Sequence, residues 1–408
     1  MRTGGCAIRK WVTLLLLAGL AWPAMAAKSV NVGQLEQLLY TLRGKSDGKV
    51  AAELSDVVLT ERISPARLAH WEADFSGSRT HEALIKLADL AAFLNPPADD
   101  VVPIPAPDSG TQDRMLELAG EYVKTTITQL PNFLATRETT HFENTPSFAT
   151  WTVGGADAMR SRAMRGTGIS VGNSEYKSLH STGSSSTTVT YRDGYEVHDA
   201  DAQKSRNDIK PSASLTTTGE FGPILSLVLG DAMRSTVAWQ RWEKGASDPV
   251  AVFRYDVPAE QSNFMVGIPA GDKFEDVYPT YHGEIAIDPA TGTILRISVV
   301  AELAPPYQAM QTANLVEYAP VTIDAKSYVC PLHGVAFSRV PVGHGAAQQE
   351  STVNVQTHMN DVVFTQYHVF GAKARIVTDG RGDGNVPASA TSPVPHDSTS
   401  ATPAPHHQ

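Results

Sequence analysis

Residues 281–300 read YHGEIAIDPATGTILRISVV, and this stretch decides the fold. Tyr281, Gly283, Ile285 and Ile287 alternate with His282, Glu284, Ala286 and Asp288, so a period of two sends one mostly apolar row to one face of a strand. The alternation breaks at Asp288-Pro289-Ala290-Thr291-Gly292 and resumes through Leu295, Ile297 and Val299. Pro289 presets φ for the start of a turn, and Asp288 offers its carboxylate to the turn backbone. Gly292 supplies the left-handed conformation that hairpin loops of this length need. An antiparallel hairpin is expected.

Similar runs lie on both sides. Residues 132–144 read as a first strand, and 187–191 and 195–198 as a pair joined by Arg192-Asp193-Gly194. Further strands are expected at 236–243, 250–257, 263–267, 315–323, 327–338 and 352–370. In 250–257, Ala251, Phe253, Tyr255 and Val257 take one face while Arg254 and Asp256 take the other. About eleven strands result, more than a flat open sheet tolerates without curling. A very apolar segment, FGPILSLVLGD at 221–231, interrupts them as a short helix. Residues 154–186, rich in glycine and serine, read as a long mobile excursion.

Before residue 96 the period is helical. Leu35, Leu38, Leu39 and Leu42 form one stripe, closed by Gly44, and Val50, Leu54, Val57 and Val58 a second. Ser64-Pro65 opens a third with Leu68, Trp71 and Phe75. Leu84, Leu87, Leu90 and Leu94 make the fourth. Pro103, Pro105 and Pro107 then mark a stiff linker, and Leu116, Ala119, Val123 and Ile127 define one longer helix that stops at Pro131.

At the N-terminus, Arg2, Arg9 and Lys10 precede an apolar run and Ala24-Met25-Ala26, the pattern of a secretory signal peptide. Cys6 precedes the apolar run, so it is not a lipoprotein cysteine. No later stretch is long and apolar enough to span a membrane. The formal charge of −10 carries no basic block, which disfavours nucleic acid as a partner. Cys330 is left as the single cysteine of the processed chain, so no intrachain disulfide is expected. The expected organisation is a signal peptide (1–27), a helical unit (28–95), a proline-rich linker (96–110), a sheet domain (111–376) and a disordered tail (377–408). The expected fold class is α+β: a strongly curved antiparallel half-barrel with an inserted helix, preceded by a small all-helical unit.

One long helix, a first strand, many antiparallel strands, an apolar helix inserted between strands, and the motifs IAIDPATGTILRI and VEYAPVTIDAKSYVCP resemble the lipoprotein-carrier superfamily over residues 111–376. Its members include the periplasmic lipoprotein localisation chaperone, the related outer-membrane receptor and periplasmic sensor domains of sigma-factor regulation. The resemblance implies an unclosed barrel around a helix, with an apolar cavity for acyl chains. It carries over no functional residue. The leading expectation is a periplasmic or secreted, non-enzymatic module that binds a lipid or lipoprotein acyl chain. Phe221, Ile224, Leu225 and Val228 would act as gate, and Phe253, Tyr255, Ile285, Ile287 and Ile297 as cavity wall. The alternative is an envelope scaffold or sensor whose barrel is filled by its own side chains and which acts through a protein partner.

No reaction emerges from the motifs. Gly168-Ile169-Ser170-Val171-Gly172 fits G-x-S-x-G but lacks the strand before it and the helix after it. Cys330 and His333 have metal-like spacing without a second pair nearby. His358 and His368 share strand parity without adjacency. His396, His406 and His407, and the Arg381-Gly382-Asp383 triplet, lie in the tail. Glu284, Asp288, Glu302 and Asp324 read as solvated carboxylates at strand ends. Neither cofactor nor metal is expected.

Overall fold

The computed structural model describes residues 28–145, 149–151, 171–173, 177–192, 195–197, 215, 220–270, 273–303, 311–341 and 355–369. The segments read as signal peptide and tail lie outside them. Among the described residues the protein is α+β, with six α-helices and one dominant antiparallel sheet.

The hairpin forms as its sequence dictates. Strands β12 (Thr280–Ile287) and β13 (Ile294–Glu302) pair antiparallel. Between them Asp288 accepts from Ala290 N and Thr291 Oγ1, at 2.9 and 2.8 Å. Gly292 takes φ 74°. A second reason for glycine appears there: an added Cβ would stand 2.3 Å from the carbonyl carbon of Leu118, in the helix packed on the turn. A register shift at Ala286/Ile287 pairs Ile287 with Ile294. Ile294 therefore joins the buried row, in place of the expected Leu295.

The sheet has ten strands in the order β7-β6-β3-β16-β15-β14-β13-β12-β9-β8. The others are β3 (Phe133–Thr145), β6 (Lys177–Arg192), β7 (Tyr195–Val197), β8 (Thr236–Lys244), β9 (Pro249–Val257), β14 (Gln311–Ile323), β15 (Lys326–Pro341) and β16 (Val355–Val369). Two expectations change. The strand read at 263–267 becomes β10 (Val266–Ala270), which among the described residues pairs with β11 (Lys273–Val277) in a separate ribbon. The glycine- and serine-rich segment is in part strand: β6 starts at Lys177 and pairs along β3, and β5 (Val171–Asn173) pairs with β4 (Ala149–Trp151). β6 gives little apolar signal because most of its side chains from 178 to 188 are exposed and its backbone carries the pairing.

Helices cover both faces. On one, α5 (Ser109–Gln129) and α6 (Pro223–Arg234) pack Met115, Ala119, Val123, Ile224, Leu225, Val228 and Leu229 on the apolar rows of β9, β12, β13 and β14. Burying one such side chain contributes about 1.5–3 kcal/mol. On the other face lies the N-terminal unit: α1 (Val32–Leu42), α2 (Asp47–Ser55), α3 (Pro65–Asp74) and α4 (Ser78–Ala91). Its second stripe splits, because α2 ends at Ser55 and β2 (Val57–Leu59) pairs parallel with β1 (Lys28–Val30). α4 carries two stripes. Leu84, Leu87, Ala88 and Ala91 fill the unit's own core, while Ile85 and, just past the helix end, Ala92 and Phe93 meet Leu315, Val335, Phe337 and Met359 of the sheet. Leu90 and Leu94, expected inside, are 39% and 37% exposed. The helical unit and the sheet belong to one compact unit.

Candidate functional site

The nine residues expected to form gate and wall are all buried. Ile224, Leu225, Val228, Phe253, Tyr255, Ile285, Ile287 and Ile297 come together in one side-chain cluster between sheet, α5 and α6. Phe221 belongs to a neighbouring cluster with Phe133, Tyr191 and Phe364. Polar anchors hold this layer. Tyr255 reaches across Gly283, where a Cβ would stand 2.7 Å from its hydroxyl, and donates to Ser298 O at 2.6 Å. Tyr281 donates to buried Asp231 at the end of α6, at 2.8 Å. Asp231 also accepts from Asn263 N at 2.7 Å, which pins the helix end.

The polar constellations lie on the other face, where the helical unit meets the sheet. Strand alternation puts Arg241 and Glu243 of β8, Glu284 of β12 and Arg296 of β13 there. Arg241 donates to both oxygens of Glu284, at 2.7 and 2.6 Å, and also binds Glu243. Arg296 reaches Glu243 at 3.0 Å, and Arg62 comes from the helical unit to the same carboxylate at 2.8 Å. Burial works against the Glu243 charge, but the guanidiniums of Arg296, Arg62 and Arg241 outweigh it and hold its carboxyl down at about 2. Glu284 is thus part of an ion network, while Asp288 belongs to the hairpin turn and Asp324 to the β14–β15 turn at φ 50°. The carboxylates weighed for catalysis do not converge.

A second constellation centres on His333 of β15. Its cross-strand partner is Glu317 of β14, and Asp361 of β16 sits on the diagonal. His333 Nδ1 lies 3.2 Å from Glu317 Oε2, and Nε2 lies 3.0 Å from Asp361 Oδ1 and 3.6 Å from Oδ1 of Asp89 on α4. Burial opposes the imidazolium, but hydrogen bonds to Asp361 and Glu317 and the charge of Asp89 hold the His333 pKa well above its ordinary value. Burial, reinforced by Asp361, pushes Asp89 well above the carboxylate range. Cys330 is not a partner. It is fully buried, with burial pushing its thiol up to about 12, and a β-bulge separates it from His333: Cys330 pairs with Ala319, His333 with Glu317.

This cluster floors a cavity of about 320 Å³ between α3, α4 and the sheet, with walls that include Ile63, Pro65, Leu68, Ile85, Ala88 and Val363. A smaller cavity of about 210 Å³ beside it is lined by Phe93, His282, Arg254 and the Arg296–Glu284 pair. Spacing along the chain could not reveal these sites, because their members come from three or four elements. One signal was present: Asp89 interrupts the apolar run of 87–94, where a carboxylate needs a reason.

The remaining sequence candidates do not assemble. His358 lies 3.8 Å from Glu143, and His368 is exposed near the end of β16. Val171 and Gly172 of the G-x-S-x-G match lie in β5. The rest of that motif, the tail histidines and the Arg381-Gly382-Asp383 triplet lie outside the described residues. Among the described residues no helix is long and apolar enough to cross a membrane. Comparison of the chain with protein-family models, curated proteins and solved structures finds no match.

Proposed function

We propose that this chain is an exported, non-enzymatic module that binds a small, largely apolar ligand, a short acyl chain being the simplest, between its helical unit and its ten-stranded sheet. The observation that carries the reading is the interlayer cavity of about 320 Å³, with apolar walls and convergent polar groups on its floor. Such a combination is the usual form of a small-ligand site, and this volume stands at the small end of the range. The site lies on the other side of the sheet from the residues first expected to line it, which pack against one another under α5 and α6. Export follows the N-terminal charge and hydropathy pattern. The sheet is read as a strongly curved half-barrel of the lipoprotein-carrier kind. Its strand count and the placement of α5 before β3 and α6 before β8 support that.

Native mass spectrometry of the untagged chain, before and after organic extraction and after incubation with medium-chain fatty acids, tests the reading. A stoichiometric adduct that is lost in Ala69→Trp, a change that plugs the cavity mouth, is the expected result. A bare mass under all conditions sinks it. The second reading, a scaffold or sensor acting through protein contacts, is favoured by the filled layer between sheet, α5 and α6.

A further inference from the structure

The geometry points to a divalent-cation site formed by Asp89, His333 and Asp361. The site shares the floor of the cavity proposed above, and its ligands are independent of the organic ligand. One ligand atom from each residue lies within 4.8 Å of the other two. A first-row ion with bonds of about 2.0–2.2 Å spaces neighbouring ligand atoms roughly 3.0–3.6 Å apart, and His333 Nε2 lies 3.0 Å from Asp361 Oδ1 and 3.6 Å from Asp89 Oδ1. The donors arrive from α4, β15 and β16, so the fold itself holds them in place.

Asp89 supplies an independent observation. It is 2% exposed, and its Oδ2 has no hydrogen-bond partner although it is buried. Buried carboxylate oxygens are costly unless paired. Asp89 lines the cavity beside His333 and Asp361, where a cation would supply that partner. Glu317 stands beside the three, while the other polar groups of the lining, Arg62, Glu72 and His81, are each engaged elsewhere, Arg62 with Glu243 and His81 with Glu72.

Glu317 completes the arrangement. In the tautomer that donates Nδ1–H to Glu317 Oε2, His333 Nε2 carries a lone pair on the nitrogen that lies near both Asp361 and Asp89. Metal-bound histidines are commonly oriented by a carboxylate on the other ring nitrogen. One imidazole and two carboxylates suit Zn²⁺ or Mn²⁺, with water or a ligand group completing the coordination from the cavity.

The test is calorimetric titration of Zn²⁺ and Mn²⁺ into the chelator-treated, untagged full chain, with Co²⁺ absorption as a second readout. One equivalent should bind tightly. Glu317→Gln should weaken affinity about 10–100-fold while keeping the stoichiometry. Asp89→Asn and Asp361→Asn should weaken it further and remove the tetrahedral or five-coordinate Co²⁺ bands. Asp89→Asn keeps the side-chain shape and relieves carboxylate crowding, so it decides the matter even if Asp361→Asn fails to fold. The inference is overturned if no equivalent binds, or if Asp89→Asn binds as tightly as the parent, as it would were His396, His406 and His407 the ligands. Ion uptake without an organic adduct would refute the ligand reading alone. An adduct without ion uptake would refute the cation site alone.

Discussion

The two faces of the ten-stranded sheet arise from the same alternation of residues and are closed in opposite ways. Toward α5 and α6, interdigitated apolar side chains fill the space, and the tyrosine hydroxyls among them donate to the carbonyls of Ser298 and Glu220 and to the Asp231 carboxylate, which also accepts from Asn263. Toward the helical unit, apolar contact is confined to a patch around Phe93, Leu315 and Phe337, and the rest is ion pairs and cavities. The dry layer supplies non-directional stability. The charged layer supplies register: a slip of the helical unit along the sheet would separate Arg62 from Glu243 and Asp89 from His333 together. Buried ion pairs contribute little net stability but penalise every arrangement that breaks them.

Two truncations of similar cost break the comparison most sharply. Glu243→Ala leaves Arg62, Arg241 and Arg296 crowded around a missing carboxylate, and should destabilise by about 3–5 kcal/mol in urea unfolding. Adding Arg62→Ala to it should restore part of that loss in a double-mutant cycle. Phe253→Ala on the dry face should also cost about 3–5 kcal/mol, but it should add independently to either change. Full additivity between Glu243→Ala and Arg62→Ala would refute the network. Acid separates the faces further. The Glu243 carboxyl is depressed in the folded chain, so its contribution is complete above the unfolded-state value of about 4.3 and fades as pH falls towards about 2. The Glu243→Ala variant should lack that component of the acid unfolding profile, while Phe253→Ala should retain it. Gly292→Ala should cost about 1–3 kcal/mol by thermal unfolding, from its left-handed backbone and the contact with Leu118. The smallest effect is set by neither face. Asn31 and Gln34 form a reciprocal cap on α1, and Asn31→Ala should cost about 1 kcal/mol without changing acid sensitivity.

The dry face was largely legible in the sequence. A strand with one apolar row announces which side it buries, so Phe253, Tyr255, Ile285 and Ile297 could be assigned to one layer and α5 and α6 placed against it. The charged face was illegible for the same reason. Arg241, Glu284 and Arg296 occupy positions that alternation assigns to solvent, and nothing local to those strands says that another folding element covers them. Glu284 therefore read as a solvated carboxylate, and His333 was weighed with Cys330, its neighbour in sequence, although its partners are Glu317, Asp361 and Asp89. Recovering the true partners of His333 requires the pairing order β14-β15-β16 and the docking of α4. Both are long-range facts, of which Asp89 amid leucines is the local trace.

The alternating prolines have a role beyond stiffness. Val101 bridges Glu243 on β8, and Val102 N donates to Trp242 O at 3.0 Å. Trp242 Nε1 in turn donates to Pro105 O at 3.1 Å. β8 is a terminal strand of the sheet, and there this short segment occupies the hydrogen-bonding positions that another chain would otherwise use. Pro103 and Pro105 then present no N–H to anything arriving outside them. The segment acts as a chain terminator for β-pairing, ending strand-by-strand growth of the sheet along the stretch of edge it covers.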